Sequence, residues 1–558
     1  MSNQITGARY LAEQIKNVGI GHVFFIDAIL RRTLIDLEEL GVERVLVHAE
    51  KSAAYMADAY GRVRNGLGIC MAQSVGAANL AAGLQDAYLH RASVLALTGR
   101  KEPNFQYRNA YQEIEHWPMF EPVTKFQANV DDANDLPRLL AHAMREATSA
   151  SPRPVHLDFK GLQGEGIETA TIAAPSPVSP ELARLSRHRP LAPSDEIERA
   201  AKRLAAATKP VLVVGTGAIQ SGAHAAIRAL ADTLSIPIAT SLGGRGIVPT
   251  THAGHIGVVG TYSAPVTNQL VHEADCVVYI GCHTGDQVTN NWTVPGPDVP
   301  IIQIDLDPVE LGRNYPDVLA VCGDPTAAAV DLTAAVGKAR SGWADWTKAA
   351  RARFDEWWVT RDEFRRSSDA PIHVDRICAA LSELLPDDGI LVADTGYSGI
   401  WTGTLVELRS PDQTYLRAAG SLGWSFPASI GAKCAAPDRP VVCFTGDGAF
   451  YYHVGELETA RRLGLPLVVV VNNNAGFGQG LYRVRAMQGD RPGNPDALLC
   501  HGPTNFADVA RSFGCEGIRV EDPADVALAI DRALAMEAPV VVDVATSMDS
   551  RGPDAWSP

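Results

Sequence analysis

Short segments that are apolar at nearly every position alternate with amphipathic helical patterns along almost the whole chain. The apolar segments include "RVLVHA", "SVLALTG", "PVLVVGTG", "CVVYIGC", "IIQIDLD", "GILVADTG", "PVVCFTGDG", "LPLVVVVNNN" and "PVVVDVATS". A strand without polar alternation is typical of a parallel sheet that is covered on both faces. We therefore predict an α/β fold with doubly wound, mostly parallel sheets.

The chain is too long for a single hydrophobic core, since it has 558 residues. Two segments interrupt the strand–helix alternation. Residues 172–196 are rich in Pro and Ser, whereas residues 338–370 are charged, contain several Trp and are predicted to form a long connecting helix. These breaks predict three α/β domains of ordinary size at about 1–165, 190–338 and 365–558.

Charge, apolar run length and cysteine spacing argue against several classes of protein. The net charge of −15 is spread along the chain, which disfavours a nucleic-acid partner. No apolar run reaches the roughly 18 residues of a membrane helix, and the N-terminus lacks the pattern of a secretory signal. The nine cysteines include no CxxC pair. We therefore expect reduced thiols in a cytoplasmic protein rather than disulfides or zinc.

The segment "TGDGAFYYHVGELETARRLGLPLVVVVNNNAGFG", residues 445–478, places polar groups at the ends of two apolar strands. Asp447 follows the first strand and Asn474 the second, and a helical segment connects them. The carboxyl ends of neighbouring parallel strands meet at one edge of a sheet, where ligands bind in α/β folds. Oxygen ligands of this kind suit Mg²⁺ or Ca²⁺. Taken singly, however, each residue is equally typical of a turn or a helix cap.

This GDG motif, with an Asn 27 positions after its Asp, resembles the diphosphate-binding motif of thiamin diphosphate-dependent enzymes. The resemblance implies that Mg²⁺ is held by Asp447, Asn474 and the backbone carbonyl of Gly476, and that the metal holds the diphosphate. Asn472 and Asn473 are expected to be structural. Further cofactor contacts are expected at Gly446, Gly448 and Ala449.

The resemblance covers nearly the whole chain, in the order of the acetohydroxyacid synthase, pyruvate oxidase and benzoylformate decarboxylase group. It is carried by "HAEKSAAYMADAYGRVRNG", "YQEIEHWPMFEPVTKF", "IIQIDLDPVELGRN" and "GSLGWSFPASIGAK". It implies that Glu50 favours the imino tautomer of the aminopyrimidine and that Leu422 bends the cofactor between its two rings. Additional cofactor-binding residues implied by the resemblance are Asn79, Tyr397 and Gly420.

The substrate pocket is expected to depart from the group's usual pattern. Asp27 stands where the group commonly has Pro, and Arg483 lies near the position of a Trp in acetohydroxyacid synthase. Each candidate could equally be a surface residue. The substrate-handling candidates, all in the first domain, are Asp27, Gln73, Gln112 and His116.

The middle domain is less suited to a flavin. "GTGAIQSG" is a glycine turn without the complete GxGxxG, and His283 replaces an Arg in a stretch that resembles a flavin-contacting segment. FAD is therefore possible but not favoured.

The resemblance implies an enzyme that needs thiamin diphosphate and Mg²⁺ and acts on a 2-oxo acid or a related carbonyl substrate. The expected reaction is decarboxylation to an enamine followed by transfer to a second carbonyl, as in acetolactate synthase. The alternatives are a non-ligating decarboxylase like benzoylformate decarboxylase, a flavin-linked oxidase, a 1,2-diketone or 2-hydroxyacyl-CoA lyase, and a catalytically silent subunit. The family pattern also predicts a homodimer or homotetramer with active sites at the subunit interfaces.

Overall fold

The structure is a computed structural model that describes residues 4–173, 175–185 and 188–558. Positions 174, 186 and 187 of the predicted linker at 172–196 lie outside the described residues, as do the first three residues of the N-terminal segment. The fold comprises three six-stranded parallel sheets, one in each of three successive parts of the chain. The predicted α/β fold is therefore confirmed.

The N-terminal sheet has the strand order β3-β2-β4-β5-β7-β6, and β1 and β8 form a separate antiparallel pair. Its strands are β1 (Ile5–Thr6), β2 (His22–Phe25), β3 (Glu43–Leu46), β4 (Gly68–Ala72), β5 (Val94–Arg100), β6 (Phe126–Val130), β7 (Val155–Lys160) and β8 (Thr171–Ile172). Its helices are α1 (Gly7–Asn17), α2 (Arg31–Glu39), α3 (Glu50–Arg64), α4 (Ala77–His90), α5 (Trp117–Phe120), α6 (Leu136–Thr148) and α7 (Glu165–Glu168).

The central sheet has the order β11-β10-β9-β12-β13-β14. Its strands are β9 (Pro210–Val214), β10 (Ile238–Thr240), β11 (His255–Val258), β12 (Cys276–Ile280), β13 (Ile301–Asp305) and β14 (Val318–Cys322). Its helices are α8 (Ser194–Ala205), α9 (Thr216–Gln220), α10 (His224–Leu234), α11 (Pro265–His272), α12 (Asp286–Thr289) and α13 (Pro325–Val336). The segment predicted as a connecting helix contains α14 (Trp343–Val359) and the short α15 (Asp362–Arg365).

The C-terminal sheet has the order β16-β15-β17-β18-β20-β19. Its strands are β15 (Ile390–Ala393), β16 (Thr414–Arg417), β17 (Val441–Gly446), β18 (Val468–Asn473), β19 (Glu516–Val520) and β20 (Val540–Ala545). Its helices are α16 (Val374–Leu384), α17 (Tyr397–Leu405), α18 (Ser425–Ala435), α19 (Asp447–Tyr451), α20 (Glu456–Arg462), α21 (Gly478–Gln488), α22 (Phe506–Ser512) and α23 (Asp525–Leu534).

Local sequence explains where these elements run and end. Every residue of β18 is buried, as expected for a central strand that is covered on both faces. Helix α13 begins at Asp324, whose carboxylate accepts hydrogen bonds from the backbone N–H groups of Thr326 and Ala327, and Pro325 occupies the first turn. Helix α3 ends at Asn65, which adopts a left-handed conformation with φ of 50°.

The N-terminal and C-terminal domains pack directly on each other through α3 and α18. Gly431 of α18 lies so close to α3 that an added Cβ would come within 2.1 Å of the carbonyl oxygen of Met56. A glycine is therefore needed at this crossing. One continuous hydrophobic core includes residues of both domains, so the helix that begins at Glu50 is held rigidly against the C-terminal sheet. In the described part of the chain, no helix is both long and apolar enough to cross a membrane.

Candidate active site

Asp447 and Asn474 lie at the carboxyl ends of adjacent parallel strands. Strand β17 pairs with β18 so that Gly446 faces Asn472, and each strand is followed directly by one of the two polar residues. The Asp447 side chain is 2% exposed and accepts hydrogen bonds from the backbone N–H groups of Gly448 at 2.7 Å and Gly476 at 3.1 Å. The structure thus brings the three sequence-predicted metal ligands, Asp447, Asn474 and Gly476, into one cluster.

The chemistry of this cluster fits a hard divalent cation. The Oδ1 atom of Asn474 is buried and accepts no hydrogen bond from the described residues, although a buried carbonyl oxygen is normally satisfied. Burial raises the pKa of Asp447 above its usual range, and a nearby cation would favour the ionised form. An amide oxygen and a carboxylate at one point are ligands that Mg²⁺ accepts.

Small residues keep the backbone of this cluster compact. A Cβ added to Gly448 would lie 2.4 Å from the ring of Phe477. Gly446 is the N-cap of α19, and Asp447 is the first residue of that helix. Ala449 lies within α19 and is buried. The predicted contacts Gly446, Gly448 and Ala449 therefore all border Asp447.

The two preceding asparagines have structural partners. Asn472 Oδ1 accepts a hydrogen bond from the Thr546 hydroxyl at 2.5 Å. Asn473 donates through Nδ2 to Asp543 Oδ1 and to the backbone carbonyl of Thr504, both at 2.8 Å. Both residues are part of β18, whereas Asn474, the last of the row, has a buried amide oxygen without a hydrogen-bond partner among the described residues.

His501 adjoins the cluster, although no sequence pattern indicated it. The segment around it pairs with the loop after β18, because the N–H of Phe477 donates to the Leu499 carbonyl and the N–H of His501 donates to the Ala475 carbonyl, each at 2.9 Å. The Nε2 atom of His501 lies 3.8 Å from Asp447 Oδ2 and has no hydrogen-bond partner among the described residues. Its imidazole is therefore placed to contact a ligand held by Asp447.

Glu50 is the first residue of α3, directly after the extended N-cap residue Ala49. Its carboxylate accepts a hydrogen bond from Asn79 Nδ2 at 3.1 Å. A Cβ on Gly76 would lie 2.5 Å from Glu50 Oε1, so a side chain there would displace the carboxylate. Within the described chain, Glu50 makes no hydrogen bond with the Asp447 cluster.

Two buried carboxylates hold the loop that contains Gly420 and Leu422. Asp86, which is 0% exposed, accepts hydrogen bonds from the backbone N–H groups of Ala419 at 2.9 Å, Gly420 at 3.1 Å and Ser421 at 2.9 Å. These N–H groups are consecutive, so the loop cannot shift without breaking charge-assisted hydrogen bonds. The sequence offered one weak signal for Asp86, an acidic residue on an otherwise apolar stretch of α4.

Asp394 holds the other side of the same loop. It is buried and accepts hydrogen bonds from the N–H of Gly423 at 3.0 Å and from the N–H and hydroxyl of Ser425 at 3.0 and 2.6 Å. Leu422, which is half-buried, therefore lies between the two carboxylate-anchored ends. Tyr397, three residues after Asp394, begins α17, and its ring packs against Trp401.

The four substrate candidates lie in different environments. Asp27 is exposed, and its two carboxylate oxygens accept from Arg31 at 2.9 and 2.6 Å, a pairing that lowers the pKa of Asp27. Gln73 is the N-cap of a short 3₁₀ helix, and the neighbouring Ser74 hydroxyl donates to the carbonyl of Gln112 at 2.6 Å. The structure thus brings the segments of Gln73 and Gln112 together.

His116, the fourth candidate, is buried beside a carboxylate. Its Nδ1 lies 3.0 Å from Asp158 Oδ2, and its Nε2 has no hydrogen-bond partner among the described residues. Asp158 also accepts from the Thr98 hydroxyl at 2.8 Å. Burial acts to raise the pKa of Asp158, but the hydrogen bonds and the neighbouring imidazoles outweigh it and leave the pKa below its usual range.

A cavity of about 170 Å³ opens at the carboxyl ends of the central strands. Its lining includes Gly215 after β9, Ser241 after β10, Gly281 after β12 and Asp305 at the end of β13. The strands β10 and β12 flank β9 on opposite sides, so the cavity lies at the point where the strand order reverses. Burial raises the pKa of Asp305 to about 6. His283 also lines this cavity.

Comparisons with known proteins match most of the chain. Models of the N-terminal thiamine pyrophosphate (TPP) binding domain, the central domain and the C-terminal TPP binding domain of thiamine pyrophosphate enzymes match residues 5–119, 197–332 and 394–544. A probable acetolactate synthase large subunit of Methanocaldococcus jannaschii is 30% identical over 90% of this chain and 85% of its own length. An acetolactate synthase large subunit of Corynebacterium glutamicum is 30% identical over 98% of this chain and 88% of its own.

Proposed function

Because the chain belongs to the thiamin diphosphate-dependent enzymes of the acetolactate synthase group, we propose that it couples decarboxylation of a 2-oxo acid to transfer onto a second carbonyl. The observation that carries the metal site is the buried, unsatisfied Oδ1 of Asn474, two residues before Gly476, whose N–H donates to the Asp447 carboxylate. In this proposal Asp447, Asn474 and the Gly476 carbonyl hold Mg²⁺, which neutralises the diphosphate. When bound, thiamin diphosphate supplies a nucleophilic carbon and an electron sink for cleaving the bond beside a carbonyl.

The chain's own residues orient the cofactor and supply a proton site. Glu50 is proposed to pair with the aminopyrimidine ring, since a carboxylate there can hold a proton at the ring nitrogen. Asn79 supports this role because its amide fixes one oxygen of Glu50. The backbone at Gly420 and the side chain of Leu422 are proposed to position the two rings, and Asp86 keeps their loop in place.

We propose that domain 1–165 binds the aminopyrimidine and domain 365–558 binds the diphosphate. In each active site, the two domains would come from different subunits. Two observations support this arrangement. Helix α3 packs against α18 of the same chain, which fixes the position of Glu50 relative to the C-terminal sheet. In that position Glu50 makes no hydrogen bond with the Asp447 cluster among the described residues. A second copy would then complete the site. The expected assembly is a homodimer or a homotetramer.

The fate of the substrate distinguishes a ligase from a decarboxylase or an oxidase. Gln73, Gln112, His116 and Asp27 remain the proposed substrate-handling residues. FAD in the central cavity is possible but not favoured, because the glycine turn after β9 lacks a complete dinucleotide fingerprint. The proposal is therefore a ligase that needs no flavin redox step.

The proposal is tested by product analysis. The protein is loaded with thiamin diphosphate and Mg²⁺ and incubated with pyruvate, or with an aromatic 2-oxo acid, with and without an aldehyde acceptor. We expect CO₂ together with a coupled hydroxyketone or 2-hydroxy-3-oxo acid, and no product with the Asp447→Ala variant. Free aldehyde as the only product under all conditions would identify a decarboxylase, and oxygen-dependent acid formation by a yellow protein would identify an oxidase.

A further inference from the structure

A second cavity, of about 160 Å³, lies where the central domain, the connecting helix α14 and the C-terminal domain meet. It is separate from both the Asp447 cluster and the cavity of the central strands, with which it shares only Val258. Its charged and titratable lining residues are Arg245, His255, Arg351, Asp355, Arg365 and Glu407.

Arg245 brings to this cavity a buried positive charge that has no directly paired carboxylate among the described residues. It is 6% exposed, donates to the backbone carbonyls of Thr402 and Val406, and lies 4.9 Å from the ring centroid of Tyr415. No carboxylate lies within 4.0 Å of its guanidinium in the part of the chain that the structure describes. Burial lowers the pKa of Arg245. Buried cations are stable in proteins when they are paired with an anion.

The two acidic lining residues are already paired with other arginines. Asp355 accepts from Arg351 at 2.8 Å. Glu407 lies 3.6 Å from Arg365 and 3.0 Å from Arg409. The lining therefore combines three guanidinium groups with two carboxylates and has a surplus of one positive charge.

Two buried nitrogen atoms at the cavity have no hydrogen-bond partner among the described residues. They are the Nε atom of Arg365 and the Nδ1 atom of His255. Burial lowers the pKa of His255 to about 3, so its ring is neutral at pH 7 and can carry a proton on Nδ1. Such a ring donates a hydrogen bond without adding a charge.

We propose that this cavity is a binding site for a small oxyanion, a phosphate or a carboxylate of similar size. The planar guanidinium group of arginine can donate two parallel hydrogen bonds to the paired oxygens of a phosphate or a carboxylate. The surplus positive charge of the lining supplies the preference for an anion. Because the lining comes from the central domain, α14 and the C-terminal domain, a bound oxyanion ties these three parts together. The site goes beyond the proposed catalytic function and does not depend on it.

The test measures binding of inorganic phosphate to the enzyme loaded with thiamin diphosphate and Mg²⁺. Isothermal titration calorimetry and thermal unfolding are run at constant ionic strength set with NaCl, with acetate as a separate ligand. The informative variant is Arg365→Gln, which removes the positive charge. Arg365→Lys keeps the charge but lacks the planar guanidinium group that can donate two parallel hydrogen bonds. The matched control is Arg366→Gln, because Arg366 is the next residue, is 79% exposed and is absent from the cavity lining.

We expect saturable binding to the wild-type protein, at least tenfold weaker in Arg365→Gln, intermediate in Arg365→Lys and unchanged in Arg366→Gln. Saturation by phosphate alone assigns a phosphate site, and saturation by acetate assigns a carboxylate site. A non-saturating rise in melting temperature that is equal in all four proteins is the general effect of an excluded salt and would overturn the proposal. Equal weakening in Arg365→Gln and Arg366→Gln, or no binding heat with either phosphate or acetate, would also overturn it.

Discussion

Replacement of Asp86 by Asn tests whether a buried carboxylate in the N-terminal domain holds the cofactor loop of the C-terminal domain. The native carboxylate accepts three backbone N–H groups at 2.9–3.1 Å and lies 3.4 Å from the Arg62 guanidinium. An Asn side chain offers one acceptor oxygen and turns an NH₂ group toward the remaining donors. At least one of the N–H groups therefore loses its partner, and the buried guanidinium loses a counter-charge.

The magnitude follows from these contacts. A hydrogen bond to a charged group contributes about 1.5–3 kcal/mol, and an unsatisfied buried donor costs about 1–3 kcal/mol. We therefore expect Asp86→Asn to lower the free energy of unfolding by about 3–5 kcal/mol, the range typical of removing one partner of a buried ion pair. The loop is one that we propose to contact the cofactor, so the affinity for thiamin diphosphate should fall as well.

The assay combines denaturant unfolding with hydrogen exchange of the peptide that contains Ala419, Gly420 and Ser421. Faster exchange in that peptide, together with a lower unfolding midpoint, is expected for Asp86→Asn. The control is Asp531→Asn, which changes an exposed helical Asp in α23. Unchanged protection of the 419–421 amides in Asp86→Asn, or equal effects in both variants, would refute the reasoning.

Three further outcomes are expected. Glu50→Gln should retain thiamin diphosphate but lose about 10²–10⁴-fold in turnover, the usual contribution of a positioned proton-transfer group; near-normal turnover would contradict its role. Asp447→Ala should lose Mg²⁺ and cofactor on desalting, measured as bound metal and cofactor per chain, whereas Asp490→Ala, at an exposed position, should retain both. Burial lowers the pKa of His453 to about 4. Between about pH 6.5 and about pH 4 the unfolded chain therefore binds more protons at this position than the folded protein does, so stability falls as the pH is lowered. In His453→Asn, the free energy of unfolding should fall by about 3 kcal/mol less over this pH range than in the wild type. The exposed control His188→Asn should show the same pH dependence as the wild type. An unchanged pH profile in His453→Asn would rule out this contribution.

The strands and the placement of Asp447 and Asn474 at adjacent strand ends could be predicted because their determinants are local. A run such as "LPLVVVV" is apolar at every position, and the residue after it must emerge at the carboxyl end of its strand. Asp447 and Asn474 then converge because their strands pair in parallel. The same reasoning could not assign Asp27, whose carboxylate is paired with Arg31.

The sequence by itself determined the α/β architecture and the positions of the polar residues at the strand ends, because both depend on periodicity and chain adjacency. Only the tertiary structure decided what surrounds them. Asp86 reaches a loop 333 residues away, and His501 approaches Asp447 through the pairing of two loops. Arg245 is buried in contact with the C-terminal domain, where it donates to the Thr402 carbonyl. Which charged side chains become buried, and which hydrogen-bond partners they find, depends on long-range packing, and no local pattern in the chain encodes it.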